Sequence, residues 1–192
     1  FSVFSPGYLD VPNPYNPDKP SRFLDWRPQG YVNLYSAIAQ SSNVYFYTVG
    51  GGAFGIDGLG ISKLKNWWSK FGFGSLTNIN LPSEAKGFLP DPVWKEENNR
   101  GSWLLGDTYN VSIGQGDFMV TPIQLINYIS SIANGGKLYQ PTILKEEARI
   151  KTDLTQYYSA IKEVQVGMRR TVTSNLGTAH ILNDLKFDVA GK

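Results

Sequence analysis

Hydroxyl, amide and amine side chains recur in this chain at spacings that suit acyl transfer. That reaction needs a nucleophile, a base to take its proton, an acid for the leaving group and donors for the oxyanion. Ser41-Ser42-Asn43 puts a hydroxyl and a carboxamide two residues apart, and Lys192 follows Val189-Ala190-Gly191 at the far end. Three pairs, Ser62/Lys65, Ser83/Lys86 and Ser159/Lys162, have the Ser-x-x-Lys spacing in which a neutral Lys replaces histidine as base. In a chain this rich in Ser and Lys, roughly one such match arises by chance. Each also sits in the wrong context, because a lysine base must be buried to lose its proton near neutral pH. Lys65 shares a polar helix face with Lys63, Ser83 lies in a Pro-bounded loop, and Lys162 precedes Glu163 on a face that reads as solvated.

Other chemistries have less to work with. Cysteine is absent, which excludes disulfides, thiolate zinc sites and a Cys nucleophile. The single histidine, His180, gives metal catalysis little to build on, so no metal and no cofactor are expected. A net charge of +2 with both signs interspersed offers no basic stripe for a phosphate backbone, so nucleic acid is not an expected partner. At 192 residues and 41% apolar content the chain suits one domain or a large piece of one. No apolar run is long enough to span a bilayer, and Phe1-Ser2-Val3-Phe4 lacks the regions of a signal peptide. With no Met at position 1, the chain is expected to be a segment of something longer.

Several elements must position these residues. Pro6, Pro12, Pro14, Pro17, Pro20 and Pro28 exclude regular helix and predict an extended run, whose Tyr8, Leu9, Tyr15, Phe23, Leu24 and Trp26 should pack on the domain. From Val32 to Val49 the apolar residues recur at helical spacing, with Ser41 on the buried stripe. Two adjoining helices with a break at Ser41 to Asn43 give the same periodicity, since Ser and Asn cap backbone groups. On its own the tripeptide reads as such a cap. A second helix fits Ile61 to Phe71, with Trp67 and Trp68 as core residues and Gly72 as its C-terminal cap. Gly74 to Gly116 reads as mostly irregular, with Lys95-Glu96-Glu97 as a solvated face. Thr121-Pro122-Ile123-Gln124 predicts a capping box and a helix burying Leu125, Tyr128, Ile129, Ile132 and Ala133. An edge strand is expected within Leu138 to Leu144, then a helix from about Thr155 to Val172 with Gly167 as its weak point, and a short one over Thr178 to Asn183.

The flanks of the tripeptide carry more information than the tripeptide. Ser36-Ala37-Ile38-Ala39-Gln40-Ser41-Ser42-Asn43-Val44-Tyr45-Phe46-Tyr47 resembles the second active-site motif of the class B penicillin-binding proteins. The resemblance continues in order through Leu81-Pro82-Ser83-Glu84, Gly87-Phe88-Leu89-Pro90, Trp94, Gly106-Asp107-Thr108 and Ser112-Ile113-Gly114-Gln115-Gly116. Val120-Thr121-Pro122-Ile123-Gln124-Leu125, Ala133-Asn134-Gly135-Gly136, Gly167-Met168-Arg169 and Gly177-Thr178-Ala179 extend it. Val189-Ala190-Gly191-Lys192 is similar to the run-up to that family's Lys-Thr-Gly. The likeness is to the elongation-type branch, which serves cell shape in rod-shaped bacteria.

The resemblance implies a peptidoglycan D,D-transpeptidase that cross-links stem peptides through a serine acyl-enzyme and mistakes β-lactams for D-Ala-D-Ala. Ser41 would relay protons, Asn43 would hydrogen-bond the substrate's amide region, and Lys192 would add positive charge and orient the substrate carboxylate. The nucleophile and its Lys are expected outside these 192 residues, so the segment alone should be inactive. The implied fold is the α-rich portion of an α/β penicillin-binding-protein/β-lactamase-like transpeptidase domain, mostly helices with short strands and the main sheet largely absent. Residues 1–31 would be the extended segment, 32–144 a helical subdomain with long loops, and 145–192 helices leading to the Lys-Thr-Gly strand. Partners implied by the family are a membrane glycosyltransferase and elongation-complex proteins. The expected location is the extracytoplasmic (periplasmic) face of the bacterial membrane, with a transmembrane anchor outside the segment. A non-catalytic scaffold of the same fold, a β-lactam sensor and a β-lactamase are the alternatives.

Overall fold

The computed structural model describes residues 1–145 and 147–192. Along the chain run β1 (Ser2–Ser5), β2 (Tyr8–Val11), β3 (Ser21–Leu24), β4 (Gly30–Asn33), α1 (Leu34–Gln40), α2 (Asn43–Gly51) and α3 (Gly60–Lys70). There follow α4 (Pro92–Glu97), α5 (Leu105–Ser112), α6 (Pro122–Ala133), β5 (Lys137–Tyr139), β6 (Ile150–Asp153) and α7 (Tyr158–Thr173), with 3-10 turns at Thr155–Tyr157 and His180–Asp184. Among the described residues the strands form only two-stranded antiparallel ladders, β1 with β4, β2 with β3 and β5 with β6. Helices with short strands and no large sheet are therefore what the chain builds, as its sequence implied. The residues divide into two compact units, Phe1–Leu59 with Glu163–Lys192, and Gly60–Lys162.

In the first unit the Pro-punctuated run is extended, as expected, and is organised into ladders. Ser2 faces Asn33 and Ser5 faces Gly30, so Val3 lies opposite Val32 and both are buried. Strand alternation sends Phe4 and Tyr31 to the other face, where both stay exposed. The expectation that all the apolar side chains of this run are covered is corrected, by alternation at Leu24 and by turns outside the strands at Tyr15 and Trp26. Leu9 is buried, but Tyr15, Leu24 and Trp26 are exposed. Helix α1 begins at a capping box in which the Asn33 carboxamide accepts from Ser36 N–H at 3.1 Å while the Ser36 hydroxyl accepts from Asn33 N–H at 2.9 Å. Gly167, read from sequence as a weak point of α7, has a packing role. A Cβ there would stand 2.7 Å from Ile38 Cδ1, so the glycine lets α7 approach α1.

In the second unit α3 is amphipathic and ends at Gly72 with φ 86°, as its sequence predicts. Trp67 meets Tyr157 with ring centroids 4.8 Å apart, and Trp68 meets Phe118 at 4.7 Å, which makes both packing residues. The capping box of α6 forms between Thr121 and Gln124. Its buried residues are Gln124, Ser131 and Ile132, whereas Leu125 is exposed, as is Ala133. The predicted stripe is therefore rotated, because the Gln124 amide finds partners inside, donating to the carbonyls of Ser75 and Lys86 at 2.8 Å each.

Two further corrections fall between Gly74 and Gly116. This stretch holds α4 and α5, both too short for periodicity to reveal, and α4 starts where Asp91 accepts from Trp94 N–H at 2.8 Å before Pro92. Lys95 is not solvated: its ammonium donates to Asp107 at 2.5 Å and its side chain is only 14% exposed. Glu96 and Glu97 are exposed, as predicted. The expected strand near Leu138 is β5, and its partner β6 carried no sequence signal strong enough to predict it.

Candidate active site

Each residue of Ser41-Ser42-Asn43 has a backbone task. Helix α1 stops at Ser41, whose φ of 54° and ψ of 50° lie in the left-handed region. The N–H of Ser41 donates to Ile38 O at 3.3 Å and that of Ser42 to Ala37 O at 2.9 Å, which is the paired closure of a Schellman cap. Glycine is the usual residue at that position, so the serine is held there against roughly 1 kcal/mol of backbone strain. Ser42 is fully buried and caps α2, its hydroxyl accepting from Tyr45 N–H at 3.4 Å. Asn43 opens α2, and its amide donates to Leu24 O at 3.1 Å. Of the two arrangements compatible with the periodicity, the chain therefore adopts two helices with a break.

The structure brings Lys192 to this break. Arg169 of α7 donates to Val189 O at 2.6 Å and to the Asp188 carboxylate at 2.5 Å, and Gly191 N–H donates to Met168 O at 3.1 Å. Thr178 N–H donates to Ala39 O at 3.0 Å, tying the residues after α7 to α1. Held in this way, the Lys192 ammonium donates to Ser41 Oγ at 2.8 Å across 151 positions of sequence. Although the residue as a whole is exposed, burial around its amine pushes the pKa below the ordinary lysine value of 10.5, with the Asp25 charge acting the other way. A lysine so placed carries its charge to one hydroxyl and can exchange a proton with it.

The three Ser-x-x-Lys pairs show no such arrangement. Ser62, Ser83 and Ser159 are exposed, as are Lys86 and Lys162. Lys65 is ion-paired with Asp91 rather than placed beside a serine. No group of three or more His, Cys, Asp or Glu that could hold a metal ion occurs among the described residues. His180 Nδ1 lies 3.0 Å from Val172 O, a local contact beside α7.

Sequence reasoning missed Asp25, a buried carboxylate beneath the break. Its one signal was chemical: an acid set among Phe23, Leu24 and Trp26 has to find donors if it is covered. No periodicity or spacing links it to Ser41, because the link is made by hydrogen bonds from Ser42 and Val44 that only the folded chain brings to it.

Comparisons with known proteins place the chain among relatives. Residues 9–192 match the family model for the penicillin binding protein transpeptidase domain. The peptidoglycan D,D-transpeptidase MrdA of Acinetobacter baumannii is 36% identical over 202 residues, an alignment covering all of this chain and 28% of that protein. The chain thus spans well under half the length of that relative. Among solved structures, the complex of penicillin-binding protein 2 and MreC from Helicobacter pylori superposes with a TM-score of 0.83 at 32% identity, over 99% of this chain and 34% of the other. Pseudomonas aeruginosa penicillin-binding protein 2 in complex with WCK 5153 gives 0.82 at 30% identity, over 100% and 44%. With the family match running from residue 9 to residue 192, the chain belongs to the penicillin-binding-protein transpeptidase family.

Proposed function

We propose that the chain is the Ser-x-Asn and Lys-bearing part of a peptidoglycan D,D-transpeptidase. The observation that carries this reading is the 2.8 Å contact between Lys192 Nζ and Ser41 Oγ, made beside Asn43 in a chain of this family. In the reaction a serine hydroxyl attacks the penultimate D-Ala carbonyl of a stem peptide, an ester forms, and the C–N bond to the terminal D-Ala breaks. The nucleophile's proton passes through Ser41 to the departing amine. An amine of a neighbouring strand then attacks the ester, forms the cross-link and frees the serine. Asn43 holds the substrate's amide region and Lys192 orients its carboxylate, and each has the donors for that task. The nucleophile and its base belong outside these residues, in keeping with the exposure of all three internal Ser-x-x-Lys serines.

β-Lactams, whose strained amide carbonyl mimics D-Ala-D-Ala, acylate the same serine. The protein works at the extracytoplasmic face of the membrane, held by an anchor outside the segment. No helix among the described residues is long and apolar enough to cross a bilayer. Partners are a membrane glycosyltransferase and elongation-complex proteins. The Helicobacter relative, whose structure contains MreC, supports an MreC-type protein as one of them.

A fluorescent penicillin tests the reading. The full-length protein should take the label, Asn43→Ala and Lys192→Ala should lose it while remaining folded, and this 192-residue segment alone should stay unlabelled. Labelling of the segment alone would sink the assignment of the nucleophile to sequence outside it. Release of D-Ala from a stem-peptide mimic, with slow β-lactam turnover, separates a transpeptidase from a hydrolase.

A further inference from the structure

Asp25 has no role in the reaction outlined above, yet four donors converge on its buried carboxylate. One oxygen accepts from the Ser5 hydroxyl of β1, the Ser42 hydroxyl and the Val44 N–H, each at 3.1 Å. The other accepts from Trp26 N–H at 2.9 Å. Val44 is the second residue of α2, so the carboxylate fills one of that helix's unsatisfied N-terminal donors and places negative charge at the positive end of its dipole.

The residues on either side of Asp25 grip the two ends of the break. The carbonyl of Leu24 accepts from the Asn43 amide at 3.1 Å and from the Tyr47 hydroxyl at 3.2 Å. On the other side, Trp26 Nε1 and Gln29 Nε2 donate to Gln40 O at 3.0 and 3.2 Å. Gln40 ends α1 and Asn43 begins α2, with the strained Ser41 between them. Such a conformation persists only where its surroundings over-determine it.

We propose that Asp25 is a positioning residue for acylation, fixing Ser41 and Asn43 through the α1–α2 break; this rests on the acyl-transfer reading of those two residues. An aspartate is required by the count of donors. Three of them share one oxygen and the fourth faces the other, so an asparagine at this position turns an NH2 toward at least one N–H or hydroxyl. Ser42 stays buried in either case, but the turn it shares with Ser41 loses its anchor.

The test is pre-steady-state acylation of the full-length protein by a fluorescent penicillin, separating the non-covalent dissociation constant from the acylation rate constant. Asp25→Asn should lower the acylation rate constant at least tenfold while the dissociation constant changes less than threefold. Asp10→Asn, which removes an exposed ion pair with Arg22 on the β2–β3 ladder, should keep both wild-type values. A purely structural role would instead lower the fraction of molecules that label and leave the rate constant of the remainder unchanged, which overturns the proposal. An equal loss in Asp10→Asn overturns it as well. If Asp25→Asn does not fold, Ser5→Ala, which deletes one donor and keeps the carboxylate, should slow acylation at least twofold; a wild-type rate constant there overturns the proposal. A wild-type protein that takes no label refutes the acyl-transfer reading together with this one, whereas a labelled wild type with Asp25→Asn at the wild-type rate refutes the positioning role alone.

Discussion

The left-handed conformation of Ser41 can be weighed by replacing the residue in two ways. Ser41→Gly and Ser41→Ala both delete the hydroxyl that accepts from Lys192, so that loss cancels between them. They differ by one Cβ in a residue at φ 54°, ψ 50°. In that region a Cβ costs about 1–2 kcal/mol, which glycine avoids. Against this, glycine gives the unfolded chain extra freedom worth about 0.4–1 kcal/mol. The difference leaves Ser41→Gly the more stable variant by about 1 kcal/mol, or about 2–4 °C in the melting temperature of a domain of this size. Thermal unfolding of the two full-length variants reads the sign directly. If Ser41→Ala melts at or above Ser41→Gly, the residue is not strained and the cap geometry described here is wrong. Both variants should acylate slower by on the order of 10²-fold, the usual contribution of a proton-transferring group.

Three further outcomes follow from the contacts. In Gly58→Ala the new Cβ would lie 2.3 Å from both Gly51 C and Gly52 N, main-chain atoms that cannot step aside, so a loss of about 1–3 kcal/mol is expected as a lower denaturant midpoint. An unchanged midpoint would mean that the loop after α2 does not pack there. Asp91→Ala removes both the Lys65 pair and the cap of α4 and should cost about 1–2 kcal/mol, while Asp91→Asn keeps the cap and should cost less; equal losses would refute the capping role. Chiefly Lys65, and then Trp94 N–H, hold the Asp91 carboxyl below its usual 3.8, so its stabilisation is present above that pH and disappears as pH falls through the lowered value. For Lys192 the slope has the same sign, but its cause is burial rather than a charged partner. Burial lowers its pKa, so the unfolded chain binds more protons between the lowered value and 10.5, and stability rises with pH across that window. Acylation that depends on its charge should decline in the same window, and a rate profile flat up to 10.5 would refute that dependence.

Much of the fold was legible where local rules suffice. The capping box before α6, the Gly72 terminus of α3 and the amphipathic α7 depend on residues within one or two turns of each other. Helices α4 and α5 were not legible, since six and eight residues are too few to show a period of 3.6. The ladders escaped for another reason. β1 reaches β4 across the whole Pro-rich run, and no alternation inside four residues reveals a partner so far away. Burial was mistaken where polar groups found partners inside, as Gln124 and Lys95 did. At the site, the order of motifs singled out Ser41, Asn43 and Lys192, but Asp25 depends on pairings that only the folded chain makes.

The capping and functional readings of Ser41-Ser42-Asn43 describe one constraint. A serine inside a continuous helix has its hydroxyl close to the carbonyl a turn earlier and readily bonds to it, as Thr48 does with Val44 O at 2.9 Å in α2. Ending α1 at Ser41 removes it from that ladder, and the left-handed turn frees its hydroxyl to accept from an amine 151 residues away. Restarting at once with Ser42 as cap keeps Asn43 in the first turn of α2, where a backbone carbonyl from the β3 end can fix its amide. A longer break would let the two side chains drift apart, and a glycine at 41 would relax the turn while deleting the group it presents. The strain, the buried cap and the carboxylate beneath them thus belong to one device that holds a hydroxyl and an amide at fixed separation on adjoining helix ends.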